Sequence, residues 1–350
     1  MVNPEMIVLA RESRGWTQRE LASQLGIRQT TLSKYELGAL SYPERDLTQL
    51  SKITNFDPEF FRQSGFQKVG LAGDFLYRKR AHVTAKVRRR VQAEVNIRRI
   101  QLYQLTRRAD VERDEFPFPS IQPEEMEGRI DKIAIAVREA WRLPSGPIRN
   151  LTAAIENAGG IVFAIDFESD LIDGTNVRLP GEPPMLFVNS RATGDRHRFN
   201  LAHELAHVIM HFGLVFDNAE MQANQFAAEF LMPRRIIRSD LRNLDLADAA
   251  RLKLVWGVSM AAIIKRAYDL GVISQSKYRR MFTMLNARGM RTNEPIEVPF
   301  EQPAVFNELL RVHREEFGMD DSEIRKILFT DSLGVIAPAN RDPIQLRLAW

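Results

Sequence analysis

Apolar positions recur at helical spacing along most of this 350-residue chain and form short continuous runs between residues 160 and 189. Near the N-terminus, Asn3 can cap a helix that begins at Pro4 and turns Ile7, Leu9, Ala10 and Trp16 toward a core. Thr17 caps a second helix, Gln18–Leu25, with Glu20 at the capping-box position. Gly26 and Ile27 turn the chain, and Gln29–Glu36 forms a third helix closed by Gly38. Two short helices joined through glycine, the second polar at its start, describe a helix-turn-helix. Val87, Val91, Val95 and Leu102 then mark an apolar seam on a solvated linking helix. The prolines of Asp114–Pro123 bar a helix there, and helical spacing resumes at Ile130, Ile133, Ala134 and Val137.

Gly160–Ile165 and Pro184–Asn189 read as strands. The Asp173-Gly174 turn between them predicts a small antiparallel sheet, with residues 184–189 at an edge where an extended peptide could add. Phe199–Met210 is apolar nearly all round, and Glu220–Pro233 reads as a second buried helix ended by proline. Pro303 starts a helix carrying Phe306, Leu309, Leu310, Val312 and Phe317, and Asp320 or Asp321 starts another with Ile324, Ile327 and Leu328. His313, among charged neighbours, is expected on the surface. The whole predicts a mainly α fold with a small β-sheet (α+β). Its parts are an N-terminal five-helix helix-turn-helix domain over 1–65, a basic linking helix over 66–115, a domain over 125–295, and an accessory helical element over 296–350.

The apolar helix around residue 205 carries His203-Glu204-Leu205-Ala206-His207. Residues i and i+4 lie about 40° apart around a helix, so both imidazoles can face one metal ion. That donor pair suits Zn2+, and the glutamate beside the first histidine can act as general base on water. A catalytic zinc needs a third protein ligand. His211 extends the same face, but three ligands on one straight helix span about 12 Å of rise, too far to converge. Glu220, from the second buried helix, is the better candidate, and Glu229, nine residues on, points to the opposite side.

Asp195–His207, followed by Ala223-Asn224-Gln225-Phe226-Ala227-Ala228 and Leu231-Met232-Pro233, resembles the ImmA/IrrE family of metallopeptidases. Pro144–Leu151 and Trp256–Ala262 also resemble that family, so the likeness spans roughly residues 125–295. The resemblance implies a gluzincin-like zinc endopeptidase domain with His203 and His207 as ligands, the glutamate matching Glu220 as third ligand, and Glu204 as base. It also implies a repressor as substrate, cleaved in stress response or mobile-element control.

In the third helix, Gln29 can read an adenine edge through a bidentate amide. Thr30, Thr31, Ser33 and Lys34 are short or cationic groups suited to base edges and phosphates, and Gln18 and Arg28 sit where backbone contacts fix register. Trp16–Ala22 with Ser33-Lys34-Tyr35-Glu36 resembles the Cro/C1-type (XRE) family of DNA-binding domains, over about residues 4–62. The expected partner is double-stranded operator DNA. The domain has no large basic excess, so a homodimer on a two-fold site would strengthen weak, salt-sensitive binding.

Composition narrows the remaining choices. The chain has no cysteine, which excludes disulfides and thiolate metal sites and leaves nitrogen and oxygen donors. With 44% hydrophobic and 27% charged residues it is an ordinary soluble composition. No signal-peptide h-region or apolar run of about 20 residues is present, so a cytoplasmic protein with no membrane partner is expected. The net charge of +4 is unevenly spread: residues 78–108 hold Arg78, Lys79, Arg80 and the pairs Arg89-Arg90, Arg98-Arg99 and Arg107-Arg108 against the single acid Glu94. Pairs nine residues apart face alternate sides of a helix, about 180° apart, so no continuous basic stripe forms.

Three function classes remain open. One is a regulatory metallopeptidase, brought to a promoter by its DNA-binding module and cutting a repressor there. Another is a transcription factor whose peptidase fold senses a ligand or metal. The third is a toxin–antitoxin or immunity partner in which that fold recognises a repressor or toxin protein. A retained Glu204 favours hydrolysis, because a pure binding fold has no use for the base.

Overall fold

The computed structural model describes residues 1–66, 68–70, 83–108, 118–212, 218–291 and 293–330. Arg78, Lys79, Arg80, the Asp114–Pro117 part of the proline-rich break and the last twenty residues of the expected C-terminal element (331–350) lie outside the described residues. The fold is mainly α with one three-stranded sheet, and it divides into two compact units.

The first unit comprises residues 1–114, 167–171 and 305–350. Its helices are α1 (Pro4–Ser13), α2 (Gln18–Leu25), α3 (Gln29–Glu36) and α4 (Leu47–Thr54), with 3-10 turns at Glu44–Asp46 and Pro58–Arg62. The starts are set by local chemistry. The Asn3 side chain accepts from Glu5 N, and Thr17 and Glu20 form a reciprocal capping box. Gly26, at φ +68, takes the left-handed conformation that closes α2. Met6, Leu9, Leu21, Leu32, Leu50, Phe60 and Phe61 are buried together beneath these helices.

Helix α5 (Ala85–Arg108) packs along the expected apolar seam, but it is more deeply buried than a solvated linking helix. Ala93, Ile97 and Ile100 join the core of the N-terminal helices, while Val91, Val95, Leu102 and Leu105 are buried as well. Asn96 is fully buried because it reads the backbone of Val69, donating to its carbonyl and accepting from its N–H, both at 3.0 Å. Arg99 is 6% exposed, with its guanidinium over the Phe66 ring. The arginine pairs concealed this in the sequence: one arginine of a pair can be an internal group while its neighbour is half-exposed.

Helices α14 (Val305–Glu315) and α15 (Asp321–Ile327) belong to the same unit. Gln101 donates to the Leu328 carbonyl at 2.9 Å, and Phe329 joins the core of the N-terminal helices. His313 is not on the surface: it is 0% exposed, its Nδ1 donates to the Leu309 carbonyl at 2.8 Å, and its ring meets Phe317 edge-on. It follows Leu309 and Leu310 by four and three residues and so shares their apolar face, whereas the charges of Arg311, Arg314 and Glu315 lie on the exposed side.

The second unit, residues 115–166 and 172–304, holds the sheet. Its elements are α6 (Ile130–Ala140), α7 (Leu151–Asn157), β1 (Ile161–Ile165), β2 (Gly174–Val177), β3 (Met185–Asn189), α8 (Gly194–Met210), α9 (Ala219–Leu231), α10 (Arg234–Asp240), α11 (Leu246–Trp256), α12 (Met260–Asp269) and α13 (Gln275–Ala287). The strand order is β1-β3-β2. β1 runs parallel to β3 with Ile161 opposite Met185, and β2 runs antiparallel to β3 with Gly174 opposite Val188. The expected antiparallel pairing of 160–165 with 184–189 is therefore wrong. Asp173-Gly174 is not a hairpin turn but the entry to a third strand, which a four-residue segment with polar Thr175 and Asn176 did not announce. β3 is central, so both its edges are taken and strand addition at residues 184–189 is excluded.

Residues 294–301 hold the N-terminal half of α8. Gly194 lies so close to Val298 that an added Cβ would fall 2.1 Å from its carbonyl oxygen. Glu301, 7% exposed, pairs with buried Arg198 and accepts from Thr152 N at 2.8 Å. Lys253 bridges Asp195 at 2.9 Å and Glu294 at 2.7 Å, all of them buried or nearly so. Removing one partner of such a pair strands a buried charge. Glu301→Ala is expected to lower stability by about 3–5 kcal/mol, read as a shift of the urea midpoint. A shift below about 1 kcal/mol would mean water reaches Arg198 in the variant.

Candidate metal centre and DNA-reading helix

α8 is buried because Leu201, Ala202, Leu205, Ala206, Val208, Ile209 and Met210 all face the core of the second unit. Ala202 and Ala206 of α8 and Ala223 and Ala227 of α9 are all buried in that core, small residues that let packed helices lie close. The polar positions of α8 are thereby aimed at α9 and β2. His203 Nε2 lies 3.2 Å from His207 Nε2. Glu220 Oε1, arriving from the first turn of α9, is 3.3 Å from His207 Nε2 and 3.6 Å from His203 Nε2. These three residues form the one candidate metal-holding group found among the described residues. Donors about 2.0–2.1 Å from a tetrahedral ion stand about 3.3–3.4 Å apart, so the three edges have the lengths a zinc-type ion requires. A neutral imidazole pair and one carboxylate are also the donor chemistry such an ion takes.

The electrostatics agree with that fit. Hydrogen bonds from His203 and then His207 hold the Glu220 carboxyl well below the usual carboxylate range. Burial alone would lower the His203 pKa, but the hydrogen bond to Glu220 and the charge of Glu204 raise it. Two histidines and a carboxylate therefore compete for a positive charge at one point, as a proton or as a metal ion.

His211 is placed as a support for this group. Its Nδ1 is 2.9 Å from His207 Nδ1, and its Nε2 is 2.9 Å from Gln222 Oε1. Burial pushes the His211 pKa down to about 4, so the ring is neutral. With the Gln222 carbonyl accepting, the His211 proton sits on Nε2 and its Nδ1 carries a lone pair. When a cation takes the place of the Nε2 proton shared with Glu220, His207 then donates from Nδ1 and turns its Nε2 lone pair toward His203 and Glu220. The spacing His207-x3-His211 was the sequence signal for this contact. Gln222 had none, because its place two residues after Glu220 matters only once α8 and α9 are packed.

Glu204, 8% exposed, is held by a second device. Asn176 of β2 donates to Glu204 Oε2 at 2.7 Å, which fixes the carboxylate by one oxygen. A Cβ at Gly174 would come within 2.9 Å of both Glu204 Cγ and the Phe187 carbonyl, so glycine there keeps room for the carboxylate. Neither residue was legible as part of a site, since both reach it across the sheet. Glu229 stays away from the group: it is buried against Arg266 and accepts from Arg234 N.

In the first unit, Gln29 stands at the first position of α3, with Arg28 at its N-cap. Arg28, Gln29, Thr30 and Lys34 are exposed, while Gln18, Thr31 and Ser33 are half-buried. A polar chain runs inward from the exposed end. Gln29 Nε2 donates to Gln18 Oε1 at 2.7 Å, Gln18 Nε2 donates to Glu36 Oε2 at 2.8 Å, and Arg11 Nε donates to Glu36 Oε1 at 2.6 Å. Both ends of the Gln18 amide are thus engaged inside the protein. Gln29 keeps Oε1 and one N–H free, the pair that matches an adenine edge.

Residues 7–61 match a family model described as a helix-turn-helix, and residues 156–268 match a peptidase model described as the IrrE N-terminal-like domain. The chain carries both domains: an XRE-type helix-turn-helix and an IrrE/ImmA-like peptidase domain, the latter spanning β1 through most of α12. No curated protein and no solved structure matches the chain.

Two outcomes follow from the geometry. His211→Ala is expected to weaken zinc binding by roughly 10–100-fold through loss of the tautomer lock, as read by competition with a chromogenic chelator, while Gln222→Ala moves it in the same direction. Gln29→Ala should cost about 1–3 kcal/mol on a selected operator and much less on random duplex; equal losses on the two would show that Gln29 reads no base.

Proposed function

We propose that this chain is a DNA-binding regulator whose peptidase domain is a zinc-dependent endopeptidase that cleaves a partner transcriptional repressor, in stress response or mobile-element control. The reading rests on the three donor edges of 3.2, 3.3 and 3.6 Å among His203, His207 and Glu220, beside a buried carboxylate at Glu204. His203, His207 and Glu220 would hold the ion, which supplies Lewis acidity beside the scissile carbonyl. Glu204 takes the proton of the attacking water on Oε1, with Oε2 fixed by Asn176, and passes it to the leaving amine. His211 and Gln222 keep the His207 lone pair directed inward.

Glu204 is the residue that separates a peptidase from a sensing or protein-recognising module. A sensor needs the three donors but gains nothing from burying a second carboxylate beside Glu220 without a counter-charge in contact. The helix-turn-helix narrows the substrate class to proteins met at an operator, and a homodimer on a two-fold site suits the weak electrostatics of a single reading helix. Among the described residues no helix is long and apolar enough to cross a membrane.

Purified protein is expected to carry about one zinc-type ion per chain and to cut the repressor encoded or acting beside it. Glu204→Gln should keep the metal and lower the cleavage rate roughly 10²–10⁴-fold, measured by gel-based cleavage with metal analysis in parallel. Full cleavage by a metal-loaded Glu204→Gln variant would remove Glu204 from the chemistry.

A further inference from the structure

A cleft of about 730 Å³ opens in the first unit where the turn between α1 and α2 meets the first turns of α5. Gln18 and Gln29 form part of its wall, so it adjoins the start of the reading helix. Arg19 comes from α2, and Lys86 and Arg89 come from α5. Lys86 and Arg89 are three residues apart and share one helix face. All three cations are exposed.

The charge in this cleft is one-sided. Arg11 also lines it, but its guanidinium is held by Glu36 through two hydrogen bonds of 2.6 and 3.0 Å. The one acid in the wall is Glu12, whose carboxylate is met by Lys68 at 3.3 Å and Arg11 at 3.6 Å. Glu20, outside the wall, keeps its charge while bonded to Thr17 in the capping box, and its field reaches Lys86, so it offsets part of one of the three cations. Arg89 Nε donates to the Ala85 carbonyl at 3.3 Å, a neutral partner that leaves its charge uncompensated. Arg19, Lys86 and Arg89 therefore present positive charge beside Gln29 that no carboxylate in the cleft wall neutralises.

The placement is rigid. An added Cβ at Gly15 would stand 3.5 Å from Lys86 Cε and 3.6 Å from Arg90 Cδ, so α5 lies directly against the turn that precedes α2. Ala93, Ile97 and Ile100 pin the following turns of α5 into the core of the N-terminal helices. The cations of α5 are thus part of the same body as the reading helix, and stand beside the residue with base-reading geometry.

We propose that Lys86 and Arg89, together with Arg19, bind the phosphodiester backbone of duplex DNA flanking the bases faced by α3, making α5 a second DNA-contacting element. The proposal rests on the DNA-binding reading of the helix-turn-helix and extends it to a helix outside residues 7–61. Its chemistry is contact by charge, without base readout. Free phosphate shares that chemistry, but a duplex seated on Gln29 brings its own phosphates to this wall and needs no separate ligand.

The test uses the full chain and a mixed-sequence duplex of about 20 bp, two helical turns, with affinity measured against salt concentration. Each lost phosphate contact lowers the slope of log K on log salt by about 0.9. Lys86→Ala/Arg89→Ala is expected to reduce the slope by about 1.8 and to weaken binding at least tenfold at low salt, while the ratio of operator to random affinity stays constant. Lys86→Arg/Arg89→Lys should keep the wild-type slope. An unchanged slope in the alanine variant overturns the proposal, and so does an equal loss in the charge-keeping variant, which would trace the effect to structure and not to charge. Competition by inorganic phosphate at constant ionic strength, with no change in slope between wild type and alanine variant, would assign the cleft to a free anion and overturn it too. A wild-type chain that binds no duplex at any salt would overturn the DNA reading itself, a result distinct from all of these.

Discussion

The peptidase domain depends on burying one helix that carries several polar groups. α8 packs apolar residues on nearly every side, yet it also bears Asp195, Arg198, His203, Glu204 and His207. Each such group is costly to bury without a partner. Asp195 has Lys253, Arg198 has Glu301, Glu204 has Asn176, and His207 has His211. The partners come from α11, the segment near residue 300, β2 and the end of α8 itself, so satisfying one helix fixes the positions of many others. His203, His207 and Glu220 are the place where the demand is met by bringing three donors to one point, and there a cation would complete the balance.

Both sites use the same physical device. A group at the working end is oriented by a chain of hydrogen bonds that ends on a residue in another helix. His207 is set by His211 and Gln222, and Gln29 is set by Gln18, Glu36 and Arg11. In the second case the chain ends on a buried ion pair, so the Gln18 amide that holds Gln29 is itself anchored to the core. Fixing a side chain beforehand removes rotamer entropy from the binding step, worth up to about 1.5–2 kcal/mol for a glutamine. The gain is in selectivity, because an amide held in one pose can satisfy one base edge and leaves the others mismatched.

Much of this was legible in the sequence where chemistry is local. The caps at Asn3 and Thr17, the glycine after α2 and the i, i+4 histidines act within a few residues and fold as their spacing predicts. Glu220 was reachable as well, since the pitch of a helix forbids three converging ligands on α8 and a second buried helix was visible. The failures share a cause in non-local pairing. β2 is four residues with polar centres, and its role is decided by β3, so the sheet's direction was misread. His313 looked exposed from its neighbours in sequence, although its neighbours on the helix face are leucines. Asn176 and Gly174 became part of the site only through the sheet that sets them against Glu204.

The same distinction governs how charge should be weighed. The chain has 49 basic and 45 acidic residues, a near balance that says little about attraction to DNA. Many of the arginines are interior groups: Arg138 bonds the Phe230 and Pro144 carbonyls, Arg178 bonds those of Phe118 and Val208, and Arg266 faces Glu229. On α5, Arg99 covers Phe66 and Arg98 holds Gln101. These charges are already compensated or desolvated and contribute little to a field felt by a phosphate outside. What a duplex meets is the small set that remains exposed beside the reading helix, so the strength and salt dependence of binding are decided by which cations the fold leaves outside and not by the total.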